Sequence, residues 1–167
     1  LAGVASVASF FLSRIDTHVD RMLDHAGDEA ARALRGQAAI ACARLAYQEY
    51  KALTADLRWQ MLAAHGVSPQ RLLWASTSTK DRAYHDLKYV EALIGPETIN
   101  TLTPETLAAY RDHGEPAKRL EEDLDMARAL PERLAALGVD LEAASAELAH
   151  QGIQKFIVSY DRLHAAL

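Results

Sequence analysis

The chain has 167 residues, half of them apolar and a quarter charged, with a formal net charge of −5. This length and balance are typical of one globular domain with its own core, and they exclude a disordered chain. The negative charge argues against a nucleic-acid or anionic-membrane surface, since both partners require a concentrated basic face. Cys42 is the only cysteine, so no intrachain disulfide can form, which favours a reducing compartment.

The apolar run over residues 1–12 predicts a buried strand. It has no basic segment before it and is too short to span a membrane. Residues 4–11 are the predicted strand itself, and we expect the chain to begin inside a larger protein. A polar stretch is predicted over residues 16–28, followed by a long helix over residues 30–65 that ends at Gly66.

After the long helix, strand and helix signals alternate. The apolar run 71–75 predicts a second strand, and the short run 98–102 predicts a third. A helix over residues 84–94 lies between them, and Thr103 caps a further helix, with Pro104 at its first position and Gly114 at its end. Strands that alternate with helices predict right-handed crossovers and a parallel sheet.

Beyond residue 115 only helical periodicity remains. A helix over residues 121–137 contains Pro131, which we expect to kink or split it. Two short helices are predicted at the end of the chain, over residues 141–150 and 153–167, separated by Gly152.

Polar side chains follow the first two predicted strands. Arg14 follows the first, and four hydroxyl residues and Lys80 follow the second. Because ligands of parallel α/β folds bind at the carboxyl ends of strands, these residues predict a site for an anion such as a phosphate monoester. The alternatives are that Arg14 pairs with Asp16 or Asp20 while Lys80 is solvated, or that Lys80 is a Schiff-base nucleophile, which its polar setting disfavours.

The histidines and acidic residues lead to no metal prediction. A group of them near the first strand has helical spacing, but exposed acidic turns have the same pattern. This group comprises Asp16, His18, Asp20, Asp24 and His25. The remaining histidines are scattered without ligand spacing, so we expect surface or capping roles for them. They are His65, His85, His113, His150 and His164.

Three long segments resemble a known family. They are SFFLSRIDTHVD at residues 9–20, LLWASTSTKDRAYHDLKYVEALIGPETINT at residues 72–101, and QKFIVSYDRL near the end. Over essentially its whole length, the chain resembles the C-terminal half of bacterial transaldolase. The most similar subgroup also supplies the transaldolase part of fusions with glucose-6-phosphate isomerase.

The resemblance implies an α/β fold, the C-terminal part of a (β/α)8 TIM barrel. Residues 1–167 would form half of one barrel domain, with strands six to eight and their helices in residues 1–115 and C-terminal helices in residues 116–167. The implied activity is that of the pentose phosphate pathway enzyme, which transfers a dihydroxyacetone unit between sugar phosphates through a lysine Schiff base. No cofactor and no metal are implied, and the location is cytoplasmic. The implied substrates are fructose 6-phosphate, sedoheptulose 7-phosphate, erythrose 4-phosphate and glyceraldehyde 3-phosphate.

The resemblance also assigns the phosphate-binding residues. Ser9 matches a serine near the substrate phosphate, Arg14 matches the phosphate-binding arginine, and Lys80 replaces a second arginine. Ser78 belongs to the same loop but stands where the subgroup has glycine, and Asp81 stands where it has asparagine. We expect these two changes to loosen the loop and to add a negative charge nearby.

No residue of this chain matches the Schiff-base lysine or the proton-handling acids of the family. We therefore expect no catalytic residue here, and an inactive fragment in the absence of an N-terminal half of the barrel. Two alternatives remain: a non-catalytic remnant that binds sugar phosphates, and the transaldolase part of a fusion with glucose-6-phosphate isomerase.

Overall fold

A computed structural model of the protein describes residues 4–166. Residues 1–3, the start of the predicted N-terminal run, and residue 167, the end of the last predicted helix, lie outside the described residues. The strands are β1 Ser6–Phe11, β2 Gln70–Ala75 and β3 Thr98–Asn100. Each lies within two residues of its predicted bounds at either end, so the three strand predictions are confirmed.

The three strands form one parallel sheet in the order β1-β2-β3. Phe11 aligns with Ala75, and Trp74 aligns with Asn100. Because the strands run in the same direction, their carboxyl ends meet at one edge of the sheet. The segments that follow β1, β2 and β3 therefore leave from neighbouring points.

Helices connect the strands and follow the last one. They are α1 Leu12–Ala26, α2 Glu29–Leu34, α3 Ala38–Ala55, α4 Leu57–Ala64, α5 Lys88–Ala92, α6 Pro104–His113, α7 Leu124–Ala136 and α8 Leu141–Ala165. None of the helices in residues 4–166 is long and apolar enough to cross a membrane. The prediction for α6 is confirmed, since Thr103 accepts a hydrogen bond from the Thr106 amide and Pro104 begins the helix.

The helices cover one face of the sheet. Trp74 of β2 is fully buried there and packs edge-on against Phe10 of β1, with ring centroids 5.9 Å apart. Successive strand residues point to opposite faces, and Val7 and Phe11 on the other face are each 41% exposed. Ala75 of β2, which aligns with Phe11, is only 8% exposed, so this second face is uncovered along β1.

A second core lies between helices α1, α3 and α7, away from the sheet. Val19 and Leu23 of α1 are buried there against Leu130 and Leu134 of α7. The predicted polar stretch over residues 16–28 is therefore wrong, because most of it belongs to α1. Two acidic residues of that stretch, Asp16 and Asp20, are buried. Both accept hydrogen bonds, so the helix can accommodate them in its buried face.

The predicted helix over residues 30–65 is also wrong, because it is divided into α2, α3 and α4. Gly36 separates the first two with a φ of 71°, and a side chain there would collide with Lys88 and Tyr84. Asp56 separates the next two because it caps α4, accepting a hydrogen bond from the Arg58 amide at 2.8 Å.

Neither Pro131 nor Gly152 splits the helix in which it lies. Helix α7 continues through Pro131, and α8 continues through Gly152 as a single helix of 25 residues. The helix predicted over residues 84–94 is shortened to α5. The second half of α8 carries large exposed apolar residues, among them Ile153, Phe156 and Tyr160.

Candidate functional site

Two serines join the first turn of α1 to the loop that follows β2. The Ser13 amide donates a hydrogen bond to the Ser76 carbonyl oxygen at 3.1 Å, and their side-chain oxygens lie 2.8 Å apart. Ser76 has a φ of 57°, in the left-handed region that costs a residue other than glycine roughly 1–2 kcal/mol. These contacts hold the two predicted anion-binding segments side by side.

The same loop is anchored to β3 and to α6. The buried Thr77 hydroxyl donates to Oδ1 of Asn100 at 2.8 Å. The Ser78 hydroxyl lies 2.8 Å from that of Thr106 in the first turn of α6. The loop from Ser76 to Lys80 is thus fixed by neighbouring elements before it reaches the lysine.

Arg14 and Lys80 line one cleft of about 380 Å³ at this edge of the sheet. Two further cations line it, Arg21 from α1 and Lys155 from α8. The Arg14 guanidinium also lies over the Phe11 ring, 5.0 Å from its centroid, a contact that restricts the long side chain.

The electrostatics of this cleft favour an anion. None of its lining residues within 4–166 is a carboxylate, and none of its four long cations forms an ion pair in that range. His18 also lines the cleft, and its Nε2 lies 3.5 Å from Glu147. Hydroxyls of Ser13, Thr17 and Ser76 and the side-chain amide of Gln151 also line the cleft. On a chain with net charge −5, this is a local concentration of positive charge with hydrogen-bond donors.

The structure brings together two of the four predicted phosphate ligands. Arg14 and Lys80 share the cleft, whereas Ser9 and Ser78 are not among its lining residues. Ser9 is exposed within β1, two residues before its end. Ser78 lines a neighbouring cleft with Thr103 and Thr106, which Lys80 also borders.

The two substitutions in the loop have structural explanations. Among the described residues, the non-glycine positions with positive φ are Ser76, Glu97 and Asp123, so the backbone at Ser78 does not require glycine. The Asp81 carboxylate lies 3.0 Å from Nη2 of Arg35, which offsets its charge.

A buried polar network lies next to the cleft and joins α1 to α5. Asp16, which is 1% exposed, accepts hydrogen bonds from Lys88 at 2.9 Å, from the Tyr89 hydroxyl at 2.8 Å and from the Ala39 amide at 2.8 Å. Because Asp16 has these partners, the predicted pairing of Arg14 with Asp16 is wrong.

Asp20 extends this network one helical turn further along α1. It accepts hydrogen bonds from the Tyr84 hydroxyl at 2.6 Å and from the Gly36 amide at 2.7 Å, so its predicted pairing with Arg14 is also wrong. Burial raises the pKa of Asp20, although these two hydrogen bonds oppose the shift. Burial and the neighbouring carboxylates raise the pKa of Tyr84 and of Tyr89 as well, so both phenols remain protonated donors.

The structure does not gather the acidic and histidine residues near β1 into a metal site. Asp24 pairs with Arg35, and His25 hydrogen-bonds the Arg21 carbonyl. The expectation that the remaining histidines are scattered is wrong for two of them. His85 and His113 lie with ring centroids 5.8 Å apart.

Comparison with known proteins identifies the family. A family model described as Transaldolase/Fructose-6-phosphate aldolase matches residues 1–167. The chain belongs to this family. Its relatives include the transaldolase of Thiobacillus denitrificans, 51% identical over 162 residues, and that of Frankia alni, 48% identical over 164 residues. Transaldolase 2 of Nostoc punctiforme is 45% identical over 178 residues.

These transaldolases are much longer than the chain. The three alignments cover 97%, 98% and 100% of this chain but 45%, 44% and 47% of the relatives. The chain thus spans less than half the length of the curated relatives it matches. Its mixed α/β fold with a small parallel sheet is compatible with part of a barrel of the TIM type.

Within this transaldolase-family chain, sequence reasoning missed Arg21 and Lys155. Arg21 lies seven residues after Arg14 on α1, which is two helical turns away on the same face. This spacing could have indicated a shared site, but the segment was predicted as a polar stretch and not as a helix. Lys155 lies in the segment QKFIVSYDRL, which is far from the strands in sequence. Only the packing of α8 brings it to the cleft.

Proposed function

We propose that the complete protein is a transaldolase and that this chain supplies the phosphate-binding side of its active site. Family membership supports the reaction, which transfers a dihydroxyacetone unit between sugar phosphates through a lysine Schiff base in the pentose phosphate pathway. The single observation that carries the residue assignment is the cleft, which among residues 4–166 is lined by four cations that form no ion pair there and by no carboxylate.

In this proposal Arg14 and Lys80 hold the substrate phosphate, with Arg21 and Lys155 completing the charge. The guanidinium of Arg14 offers a planar, bidentate fork, and lysine side chains supply point charges without that geometry. Ser78 acts through its contact with Thr106, which fixes the loop on which Lys80 lies. Ser9 faces the uncovered side of the sheet, where the rest of a bound sugar would extend.

The proposed architecture is a (β/α)8 barrel in which β1, β2 and β3 are strands six to eight. Two observations within residues 4–166 support it: the strands are parallel, and the residues of β1 on the second face of the sheet are exposed. Parallel sheets are normally covered on both sides. The remaining strands, the Schiff-base lysine and the proton-handling acids would lie in the other half of the complete protein.

The proposed location is the cytoplasm, where the sugar-phosphate substrates would be found. The alternative of a non-catalytic remnant rested partly on Ser78 and Asp81. The backbone of Ser78 and the pairing of Asp81 with Arg35 reduce its support.

The test compares phosphorylated and unphosphorylated substrates in the complete protein. Arg14→Ala should lower kcat/KM for dihydroxyacetone transfer from fructose 6-phosphate by about 30-fold, mainly through KM, since a hydrogen bond to a charged group contributes roughly 2 kcal/mol. The same variant should leave the slow reaction of fructose almost unchanged. Steady-state kinetics with both donors measures the difference.

A matched control is Arg58→Ala, which removes an exposed cation of α4 that lies outside the cleft. It should alter neither reaction. If Arg14→Ala lowered kcat/KM equally for fructose 6-phosphate and for fructose, the assignment of Arg14 to the substrate phosphate would be wrong. An inactive complete wild-type protein would instead contradict the transaldolase assignment itself.

A further inference from the structure

Two histidines and an aspartate converge on the surface between α5 and α6. Nε2 of His113, near the end of α6, lies 3.2 Å from Oδ1 of Asp86. Nδ1 of His85 lies 3.6 Å from the same oxygen. One potential ligand atom from each of the three residues lies within 4.8 Å of the others. The cluster is outside the cationic cleft, since none of its members lines that cleft.

A fourth residue orients one of the histidines. Oδ2 of Asp112 lies 3.2 Å from Nδ1 of His113. A neutral imidazole carries one proton, and a proton on Nδ1 that is donated to Asp112 leaves the Nε2 lone pair directed at Asp86. In metal sites, a carboxylate in the position of Asp112 commonly accepts the second ring N–H of a metal-binding histidine and so fixes its tautomer.

The separations between the ligand atoms match the edges of a tetrahedral site. With metal to ligand distances of about 2.0–2.1 Å, the edge of a tetrahedron is about 3.3 Å. The two distances to Asp86, 3.2 and 3.6 Å, are close to this value. The third edge, from His85 to His113, requires the two rings to approach, and the His85 side chain is 60% exposed. His85 would then give up a long hydrogen bond of 3.3 Å from the Leu87 amide.

We propose that His85, Asp86 and His113 bind a divalent zinc-type metal ion, with Asp112 orienting His113. Two imidazole nitrogens and one carboxylate oxygen suit Zn²⁺ and do not suit Mg²⁺, which prefers oxygen ligands in octahedral geometry. The three ligands leave a fourth position open to water, which the exposure of the cluster permits.

The metal would brace the loop that carries Lys80. The Thr79 hydroxyl donates to the carbonyl oxygens of His85 and Asp86, at 2.9 and 3.1 Å. Thr79 directly precedes Lys80. A metal that joins His85 and Asp86 to α6 therefore restrains the backbone beside the cleft.

The test is isothermal titration calorimetry of Zn²⁺ into the complete protein, without a histidine tag and in a buffer that does not chelate metals. One Zn²⁺ per chain should bind saturably, and Mg²⁺ should give no heat. His113→Ala should abolish this binding, and Asp112→Asn should weaken it about 10- to 100-fold, as substitutions of residues that orient metal ligands commonly do.

The matched control is His65→Ala, which removes an exposed histidine whose Nδ1 contacts only the Met61 carbonyl of its own helix. It should leave Zn²⁺ binding unchanged. Absence of saturable Zn²⁺ binding would overturn the proposal. Binding that survives both His113→Ala and His85→Ala would overturn it equally.

Discussion

Asp16 is the residue through which α1, α3 and α5 are held in one arrangement. Its two carboxylate oxygens accept hydrogen bonds from Lys88, Tyr89 and the Ala39 amide. Lys88 is 15% exposed and also lies 3.7 Å from the centroid of the Tyr84 ring. Among the described residues, the charge of this lysine is therefore compensated by the Asp16 carboxylate and by the rings of Tyr84 and Tyr89.

Asp16→Asn should lower the free energy of unfolding of the complete protein by about 3 kcal/mol, because it leaves the largely buried Lys88 without a counter-charge. The side chains have nearly the same shape, so the loss would arise from the charge. Urea denaturation followed by circular dichroism measures it.

The control removes an ion pair that water already screens. Asp125 of α7 pairs with Arg128 at 3.0 Å, and the Asp125 side chain is fully exposed. Asp125→Asn should leave the same free energy essentially unchanged. Similar losses in the two variants would contradict a special role for the buried pair.

That Arg14 and Lys80 lie near each other was predictable from sequence, because each lies a few residues after the end of a strand and neighbouring parallel strands end at the same edge. The burial of Asp16 was not, because an acidic residue gives no sign in the sequence of whether it is solvated or buried against a distant lysine. Lys88 lies 72 positions away along the chain. The meeting of His85 with His113 depends likewise on how two βα units pack.

Element boundaries depended on what each glycine or proline contacts. Gly36 ends α2 because its backbone has positive φ and other side chains occupy the adjacent space. Gly152 is also a glycine between two predicted helices, yet α8 continues through it. The strands were easier to predict, since each apolar run is bounded by polar residues and is shorter than a typical helix.

Two glycines provide a matched test of this distinction. A methyl group added at Gly152 or at Gly138 would meet no atom within 4 Å, but Gly138 has a φ of 77°. Gly152→Ala should therefore raise the free energy of unfolding by about 0.5–1 kcal/mol, because it restricts the unfolded chain and favours the helix.

Gly138→Ala should lower the same free energy by about 1 kcal/mol, because alanine is strained in the left-handed region. Thermal and urea unfolding of the two variants, measured in parallel, give the comparison. Stabilisation by both substitutions would show that φ does not decide the outcome, and destabilisation by both would indicate that α8 is not continuous at Gly152.

At the scale of the whole molecule, the sheet within residues 4–166 has two outer strands and a face that is uncovered along β1. Val7 and Phe11 lie on that face of β1, and neither β1 nor β3 has a further strand beside it within residues 4–166. Unpaired strand edges with apolar side chains promote association between chains.

The 167-residue chain expressed alone should therefore self-associate in a concentration-dependent manner. Val7→Lys should reduce that association, because it places a charge on the exposed face of an outer strand. Sedimentation velocity over a range of concentrations measures the effect.

Leu57→Lys is the control, since Leu57 is 75% exposed on α4 rather than on the sheet. It should leave the association of the isolated chain as it is. A wild-type chain that remains monomeric at every concentration would contradict the expectation that the uncovered face needs a partner.

The uncovered face has a further consequence for the way in which the complete protein unfolds. If the apolar side chains of β1 are buried only when the other half of a barrel covers them, the two halves share one core and neither is a separate cooperative unit. Loss of structure in either half then exposes the other. The complete protein would melt in a single transition, although the helices of this chain also have a core of their own.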